Sequence, residues 1–296
     1  MPEGLLIQGD NLAALRKLAD SSVDLIYLDP PFRSEHIYRT TLSAGETSGA
    51  KIFDDRWRWN DESESDLRRL KLTSDQLAAM VGGFEAILGK SGRLAYILFM
   101  IERLVELKRL LKSTGSIALH CDQAASAPLK IAMDLLFGEE NHLNTIVWCY
   151  GLGGSSPRRF PRKHDDIHWY AKEVDRYYFL PPVEPARSQR MKGKSKKIPD
   201  FWYIPSINNM AHERTGYPTQ KPIALLERIV VSASPPCGSV LDPFSGSGTT
   251  LLAAARNNRS WIGIDIASEA VETSIRRLEI EGFDRNLSFQ RWGLEI

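Results

Sequence analysis

Cysteine is scarce in this chain: Cys121, Cys149 and Cys237 are the only three in 296 residues, widely separated and without C-x-x-C spacing. Neither a disulfide framework nor a zinc site is supported, so no metal centre is expected. Long apolar runs are missing too, since no stretch approaches the roughly 18 consecutive apolar residues of a membrane span. The opening Met1-Pro2-Glu3-Gly4 has no basic-then-apolar targeting pattern. A soluble, cytoplasmic protein without membrane association is the expectation. No charge of one sign dominates, with 38 basic against 37 acidic residues, and no repeat of solenoid length is visible. What is present, 43% hydrophobic and 25% charged residues, is ordinary globular composition. It excludes disordered, collagen-like and coiled-coil chains and fits about two domains.

The balanced total hides an uneven distribution. From Arg158 to Lys197 twelve Lys and Arg stand against five acids, a local excess of seven, which leaves the rest of the chain net acidic. A basic segment on an acidic body suits a polyanion, because Lys and Arg replace the counterions condensed along a phosphate backbone. A solvated loop is the alternative from charge alone.

Periodicity organises the chain. Gly4 to Gln8 is a short apolar run, Asn11 to Leu18 has helix-spaced leucines, and Val23 to Leu28 predicts a buried strand. Ser34 to Asp66 is polar and reads as a long surface excursion. Helices are predicted at 73–88, 96–111 and 128–137, with strands at 116–120, after a turn at Gly115, and at 145–150. A Gly/Ser stretch, 151–157, leads into the basic segment. Regular rhythm returns near Pro222, with helices at 223–233, 249–257 and 268–281 and strands at 239–241 and 261–266. The alternation predicts an α/β, doubly wound, mostly parallel sheet. Residues 1–150 and 216–296 form its two halves, and 151–215 is an insert.

Two constellations carry chemistry. Leu28-Asp29-Pro30-Pro31-Phe32 ends a strand at the carboxyl edge of the sheet, where α/β proteins place ligands. Asp29 and the Pro30 carbonyl offer two hydrogen-bond acceptors, the proline pair stiffens the turn, and Phe32 offers a flat face. That combination suits a planar aromatic amine; a rigid turn with a packed Phe is the bland alternative. Second, Val240 to Thr250 runs strand, Gly/Ser turn, helix. Thr249 stands where a P-loop needs Lys, which disfavours triphosphates, and only part of a dinucleotide fingerprint is present. A nucleoside-like ligand remains, and Asp265, at the end of the next strand, is placed to reach ribose hydroxyls.

In this order, Asp29-Pro30-Pro31-Phe32, Tyr217-Pro218-Thr219-Gln220-Lys221-Pro222 and Asp242-Pro243-Phe244-Ser245-Gly246-Ser247-Gly248-Thr249-Thr250 resemble the S-adenosylmethionine-dependent DNA amino-methyltransferases of the β arrangement. The resemblance covers nearly the whole chain. It implies a Rossmann-like, circularly permuted methyltransferase fold with a seven-stranded sheet and an inserted target-recognition region. It also implies methyl transfer to the exocyclic amino group of a base flipped out of double-stranded DNA, adenine N6 slightly favoured over cytosine N4 because Asp29 stands where some members have Ser. Asp29 and the Pro30 carbonyl would accept the amino hydrogens, with Pro31 shaping the turn and Phe32 stacking on the base. Asp10 and Asn11, Asp242, Phe244, Ser245, Gly246, Gly248, Thr249 and Asp265 would form the cofactor site, with Thr219 and Lys221 on the methionine carboxylate. Arg158, Arg159, Arg162, Lys163, Lys192, Lys194, Lys196 and Lys197 would contact DNA. A restriction endonuclease is the partner class implied, and a monomer or homodimer the expected state.

Rival classes are a non-catalytic DNA-binding protein on a decayed scaffold, against which the intact Asp29 to Phe32 run speaks, and a nicotinamide dehydrogenase, disfavoured by the missing third glycine and the basic insert. Cys237 precedes a strand ending at Asp242, about 16 Å from the ligand edge at ~3.3 Å per residue, and is read as structural. His120-Cys121-Asp122 reads as a hydrogen-bonded pocket wall. Trp57 and Trp59 are either a DNA-stacking pair or a loop cover.

Overall fold

The computed structural model describes residues 3–32, 37–39, 51–151, 155–186, 190, 192–208, 210–285 and 287–292, with the backbone alone at 37–39, 51–54 and 292. Residues 34–36 and 40–50 of the expected excursion at 34–66, and residues 152–154 of the Gly/Ser stretch, lie outside the described residues. The strands of the first half are β1 (Gly4–Gly9), β2 (Val23–Leu28), β3 (Ile37–Arg39), β4 (Lys51–Asp54), β5 (Leu111–Cys121) and β6 (His142–Cys149). They are followed by β7 (His164–Ala171), β8 (Val183–Pro185), β9 (Ser195–Lys197), β10 (Phe201–Tyr203), β11 (Ser239–Asp242), β12 (Ser260–Asp265) and β13 (Leu287–Trp292). The helices are α1 (Asn11–Leu15), α2 (Asp61–Thr73), α3 (Asp75–Leu88), α4 (Gly92–Leu110), α5 (Gln123–Phe137), α6 (Ile223–Ala233), α7 (Thr249–Arg256) and α8 (Ser268–Ile280).

Nine strands form one sheet in the order β10-β6-β7-β5-β2-β11-β12-β1-β13. Only β7 runs antiparallel to its neighbours, β5 and β6. Every residue of β2 is buried, as a central parallel strand with both faces covered requires. Successive side chains serve two cores. Ile7, Ile26, Leu28, Ile117 and Leu119 meet α1 to α5, whereas Leu6, Leu25, Tyr27, Ala118 and Val240 meet α6, α7 and α8.

Four expectations are corrected. The sheet has nine strands rather than seven, because β10 and β13 add to its two edges. The segment 151–215 is not wholly an insert: β7 lies inside the sheet and β10 at its edge, leaving the β8–β9 ribbon as a separate two-stranded unit. The end of the excursion is helical from Asp61, capped by the Asn60 side chain on Ser63 N–H at 2.9 Å and anchored by buried Leu67 and Leu70. Gly115 is no turn; it lies within β5, where a Cβ would stand 2.9 Å from the Asp24 carbonyl oxygen. Trp57 packs on Tyr96 and Phe99 at 5.3 and 4.8 Å between ring centroids, which makes it a cover over α4.

The order of strands positions the site. From β2 the chain moves outward to β5, whereas β11, β12 and β1 lie on the other side, so β2 and β11 flank a topological switch point. A crevice opens there at the carboxyl ends of the strands. Leu241 pairs with Ile26, Asp242 with Gly263, and Gln8 with Asp265. This register brings Asp10, Asp29, Asp242 and Asp265 to one edge although they are separated by up to 255 positions in sequence.

Candidate active site

A cavity of about 220 Å³ fills this crevice. All the expected catalytic residues line it, together with Asp10, Asn11, Thr219, Lys221, Asp242, Phe244, Ser245, Gly246, Thr249 and Asp265. Gly248 stands behind them as the left-handed N-cap of α7.

The Gly/Ser turn is held from outside and from within. Both oxygens of Asp265 accept backbone N–H groups, from Gly246 at 2.8 Å and Ala267 at 2.9 Å. Burial raises the Asp265 carboxyl above its ordinary value, and these N–H donors oppose that rise. Behind the turn, Ser274 of α8 donates to the Gly246 carbonyl at 3.0 Å, while Arg277 donates to Ser247 O at 2.9 Å and Thr249 Oγ1 at 2.8 Å. The two glycines have φ of +48° and +72°, the region glycine enters without a Cβ penalty. A Cβ on Gly246 would meet the Tyr217 ring at 3.3 Å, and one on Gly248 would stand 2.6 Å from Ser274 Oγ and 3.1 Å from its Cα. The close approach at Gly248 is therefore to α8, a contact that its sequence position alone does not disclose.

Asp10 caps α1, accepting from Ala13 N–H at 2.9 Å, and Asn11 donates to the Pro243 carbonyl at 2.9 Å. Arg103 of α4, absent from the expected set, ties this corner together. It donates to Asn11 Oδ1 at 2.6 Å and to Asp10 Oδ2 at 3.2 Å, and its guanidinium lies 3.3 Å from the centroid of the Phe99 ring. Burial lowers its pKa to about 10 despite Asp10 and Glu102 nearby.

At the catalytic turn, Lys221 is ion-paired with Asp29 Oδ2, and its ammonium stands 5.4 Å from the Phe32 ring centroid. The resemblance implied a cofactor carboxylate as the partner of Lys221; in this structure its ammonium is held by Asp29. Asp29 Oδ1 is shielded from solvent and has no hydrogen-bond partner among the described residues. Behind Phe32 lies His120, fully buried, with ring centroids 5.8 Å apart. Its Nε2 is 3.1 Å from Asp165 Oδ2 and its Nδ1 is 2.7 Å from the Tyr27 hydroxyl. Burial raises the Asp165 carboxyl, but the hydrogen bond from His120 and the charge of Lys221 outweigh it and hold it below the ordinary value. Asp165 is thus an acceptor for the His120 Nε2–H, and Tyr27 holds the other ring nitrogen. Tyr27 stands two positions before Asp29, on the same side of the strand, and that period-2 spacing is the signal that could have found it.

Asp242 lies beneath the turn, accepting from Phe244 N–H at 3.0 Å. Burial pushes its carboxyl up from 3.8 to about 7, against the hydrogen bonds from Thr250 and Phe244. A raised folded-state pKa means that the folded protein keeps a proton that the unfolded chain releases. Its contribution to stability is complete below about pH 4 and is lost as pH rises through about 7. Asp242→Asn is therefore expected to raise Tm by several degrees at pH 8 and to leave it near wild type only at about pH 4, where both states of the wild type are protonated. An equal shift at both pH values, measured by calorimetry, would show that Asp242 is not carrying a buried charge.

The basic segment divides. Arg158, Arg159 and Arg162 are exposed, and Lys163 half-buried, in the loop before β7, at the same sheet edge as Asp29. Lys192 and Lys194 are exposed beside the β8–β9 ribbon; on it, Lys196 is paired with Glu184 at 3.2 Å and Lys197 borders a second cavity. Leu180 N–H, close to that ribbon, donates to Ser232 O in the last turn of α6, a helix about 16 Å long whose first turn follows Lys221. Cys237 is exposed at the opposite end of β11, with its N–H on Asn258 O, and Asp122 caps α5.

A doubly wound sheet with a Gly/Ser turn at its switch point and an acid ending the next strand is a Rossmann-like arrangement. Solved structures share that fold. The PvuII DNA methyltransferase (cytosine-N4-specific) aligns with a TM-score of 0.60 at 16% identity, over 98% of this chain and 95% of that one. A putative DNA modification methylase of Thermus thermophilus, complexed with S-adenosyl-L-methionine, gives 0.53 at 19%, over 98% and 100%. In sequence, the DNA adenine methyltransferase YhdJ of Escherichia coli K12 is 25% identical over 93% of this chain and 82% of its own length. The type II methyltransferase M.HpaI of Haemophilus parainfluenzae is 28% identical over 94% and 76%. M.ScaI of Streptomyces caespitosus is 34% identical over 154 residues, 47% of this chain and about half, 51%, of that protein. Residues 23–276 match the DNA methylase family of N6 and N4 methyltransferases, and the chain belongs to that family. Among the described residues no helix is long and apolar enough to cross a membrane.

Proposed function

We propose that the protein methylates the exocyclic amino group of a base turned out of double-stranded DNA, with adenine N6 as the target. The observation that carries this reading is the divided Asp29 carboxylate: Oδ2 is taken by Lys221, and Oδ1 is a buried acceptor with no partner. An unpaired buried acceptor is costly unless a ligand donor completes it. The amino group of adenine supplies two N–H donors, one for Asp29 and one for the Pro30 carbonyl, while the ring lies against Phe32. Asp at position 29, rather than the Ser of other members, favours adenine over cytosine N4.

S-Adenosylmethionine suits the remainder of the cavity. Carboxylates of Asp10, Asp242 and Asp265 border it, which fits a sulfonium cation, and the Ser245 hydroxyl is buried without a partner. The cofactor supplies an electrophilic methyl group. Two fixed acceptors withdraw the amino hydrogens from the plane of conjugation and free the nitrogen lone pair for in-line attack. The amino nitrogen would gain that methyl group and release one of its hydrogens, as a proton, to the Asp29 carboxylate that holds it.

Arg158, Arg159, Arg162 and Lys163 are the phosphate contacts we assign beside this site, with Lys192, Lys194, Lys196 and Lys197 reaching phosphate only farther along the duplex. The type II relatives suggest a restriction endonuclease with the same recognition sequence as the functional partner. Incubation with S-adenosylmethionine and mixed-sequence DNA, followed by digestion to nucleosides and mass spectrometry, is expected to yield N6-methyl-2′-deoxyadenosine. N4-methyl-2′-deoxycytidine alone would overturn the base assignment, and no methylated nucleoside would overturn the activity.

A further inference from the structure

Phe160 is 96% exposed, the most exposed large apolar side chain among the described residues. It lies in Arg158-Arg159-Phe160-Pro161-Arg162-Lys163, between cations on both sides. Single exposed apolar residues are common on protein surfaces; a bare aromatic ring amid guanidinium groups beside a reaction centre is not. Pro161 fixes its own φ and confines Phe160 to extended conformations, so the ring is presented on a stiffened backbone.

The placement of this loop is set by β-sheet register. It leaves the end of β6 and returns at the start of β7, where Cys149 pairs with His164 and Cys121 with Asp166. Tyr150 N–H donates to Lys163 O at 3.1 Å and closes its base. Two residues on, Asp165 holds His120, which packs against Phe32. The charge of Arg162 acts on both Asp122 and Tyr150 at the same edge. Phe160 is five residues from Asp165, within about 17 Å along an extended chain.

We propose that Phe160 is the wedge that enters the base stack as the target nucleotide leaves it, with Arg158, Arg159 and Arg162 on the flanking phosphates. The proposal rests on the amino-methyltransferase reading above. A flipped base leaves an unstacked gap, and an apolar ring fills it without needing a sequence-specific partner. The surrounding guanidinium groups bring the ring to the duplex, and duplex insertion removes from water the apolar face that the free protein exposes.

The test uses the full chain and a duplex carrying the sequence mapped by the methylation assay. Phe160→Ala is expected to lower kcat/KM about 10- to 100-fold and to suppress the fluorescence rise of 2-aminopurine placed at the target position. Calorimetric affinity for S-adenosylmethionine and Tm should stay at wild-type values, and Phe160→Leu should keep most of the activity. Opposite an abasic site, where the target base is already unpaired, Phe160→Ala should recover to within a few-fold of wild type. An equal loss on paired and unpaired targets, or no loss, overturns the wedge while leaving the activity standing. A wild-type protein that methylates no DNA removes both.

Discussion

Replacing Asp29 with Ala is expected to lower the rate of methyl transfer by about 10²- to 10³-fold, roughly 2.7–4 kcal/mol, the usual effect of removing one preorganised group that acts on developing charge. The affinity for S-adenosylmethionine, read by calorimetry, should change little, because the cofactor turn is held by Asp265, Ser274 and Arg277 rather than by Asp29. The substitution also leaves Lys221 without its carboxylate, so folding must be checked by circular dichroism before rates are compared. Asp29→Asn keeps an acceptor of the same shape without charge. It should lose only about tenfold, since a neutral hydrogen bond is worth roughly 1–1.5 kcal/mol less than one to a charged group. The graded order, wild type above Asn above Ala, is the signature of an acceptor. Near-normal turnover in Asp29→Ala would remove Asp29 from the catalytic centre.

The second large effect is expected at Gly248, and its cause is packing. In Gly248→Val a Cβ falls 2.6 Å from Ser274 Oγ and 3.1 Å from Ser274 Cα, at a φ of +72°. The hydroxyl can turn away; the α8 backbone has to move. With it moves Arg277, whose hydrogen bonds to Ser247 O and Thr249 Oγ1 hold the turn. Gly248→Val should abolish detectable S-adenosylmethionine binding and lower Tm. Gly246→Ala, whose Cβ meets nothing closer than the Tyr217 ring at 3.3 Å, should weaken binding much less. Gly248→Ala should lower Tm less in a Ser274→Gly background than in the wild type, because Oγ and Cβ of Ser274 are then gone and only its Cα, 3.1 Å away, remains. An equal loss in the two backgrounds would show that the left-handed backbone, and not α8, makes glycine necessary there.

Some of this molecule is written locally. The apolar runs of β1, β2, β11 and β12 predict buried parallel strands because a strand covered on both faces has no position for polar residues. Asp29 to Phe32 and Asp242 to Thr250 announce chemistry because prolines and glycines fix backbone conformations wherever they occur. Cavity membership followed from the same signals: all the expected catalytic and cofactor residues but Gly248 line one crevice.

The remainder depended on contacts between residues far apart in sequence. β7 enters the sheet between β5 and β6 because of pairing partners, which its mixed run of His, Asp and aromatic residues does not disclose. Lys221 meets Asp29 across 192 positions, Arg103 meets Asn11 across 92, and Ser274 meets Gly246 across 28. The physical reason is that patterning records whether a residue is buried and in which backbone state, both of which are local. Which charge pairs with which, and which side chain blocks a glycine, is decided only when strand register and helix packing bring distant segments within hydrogen-bond range. The sequence by itself determined strands β1, β2, β5, β6, β11 and β12, the two turns and the chemistry available in them; tertiary structure alone decided that Lys221 sits on Asp29 and that α8 locks the Gly/Ser turn.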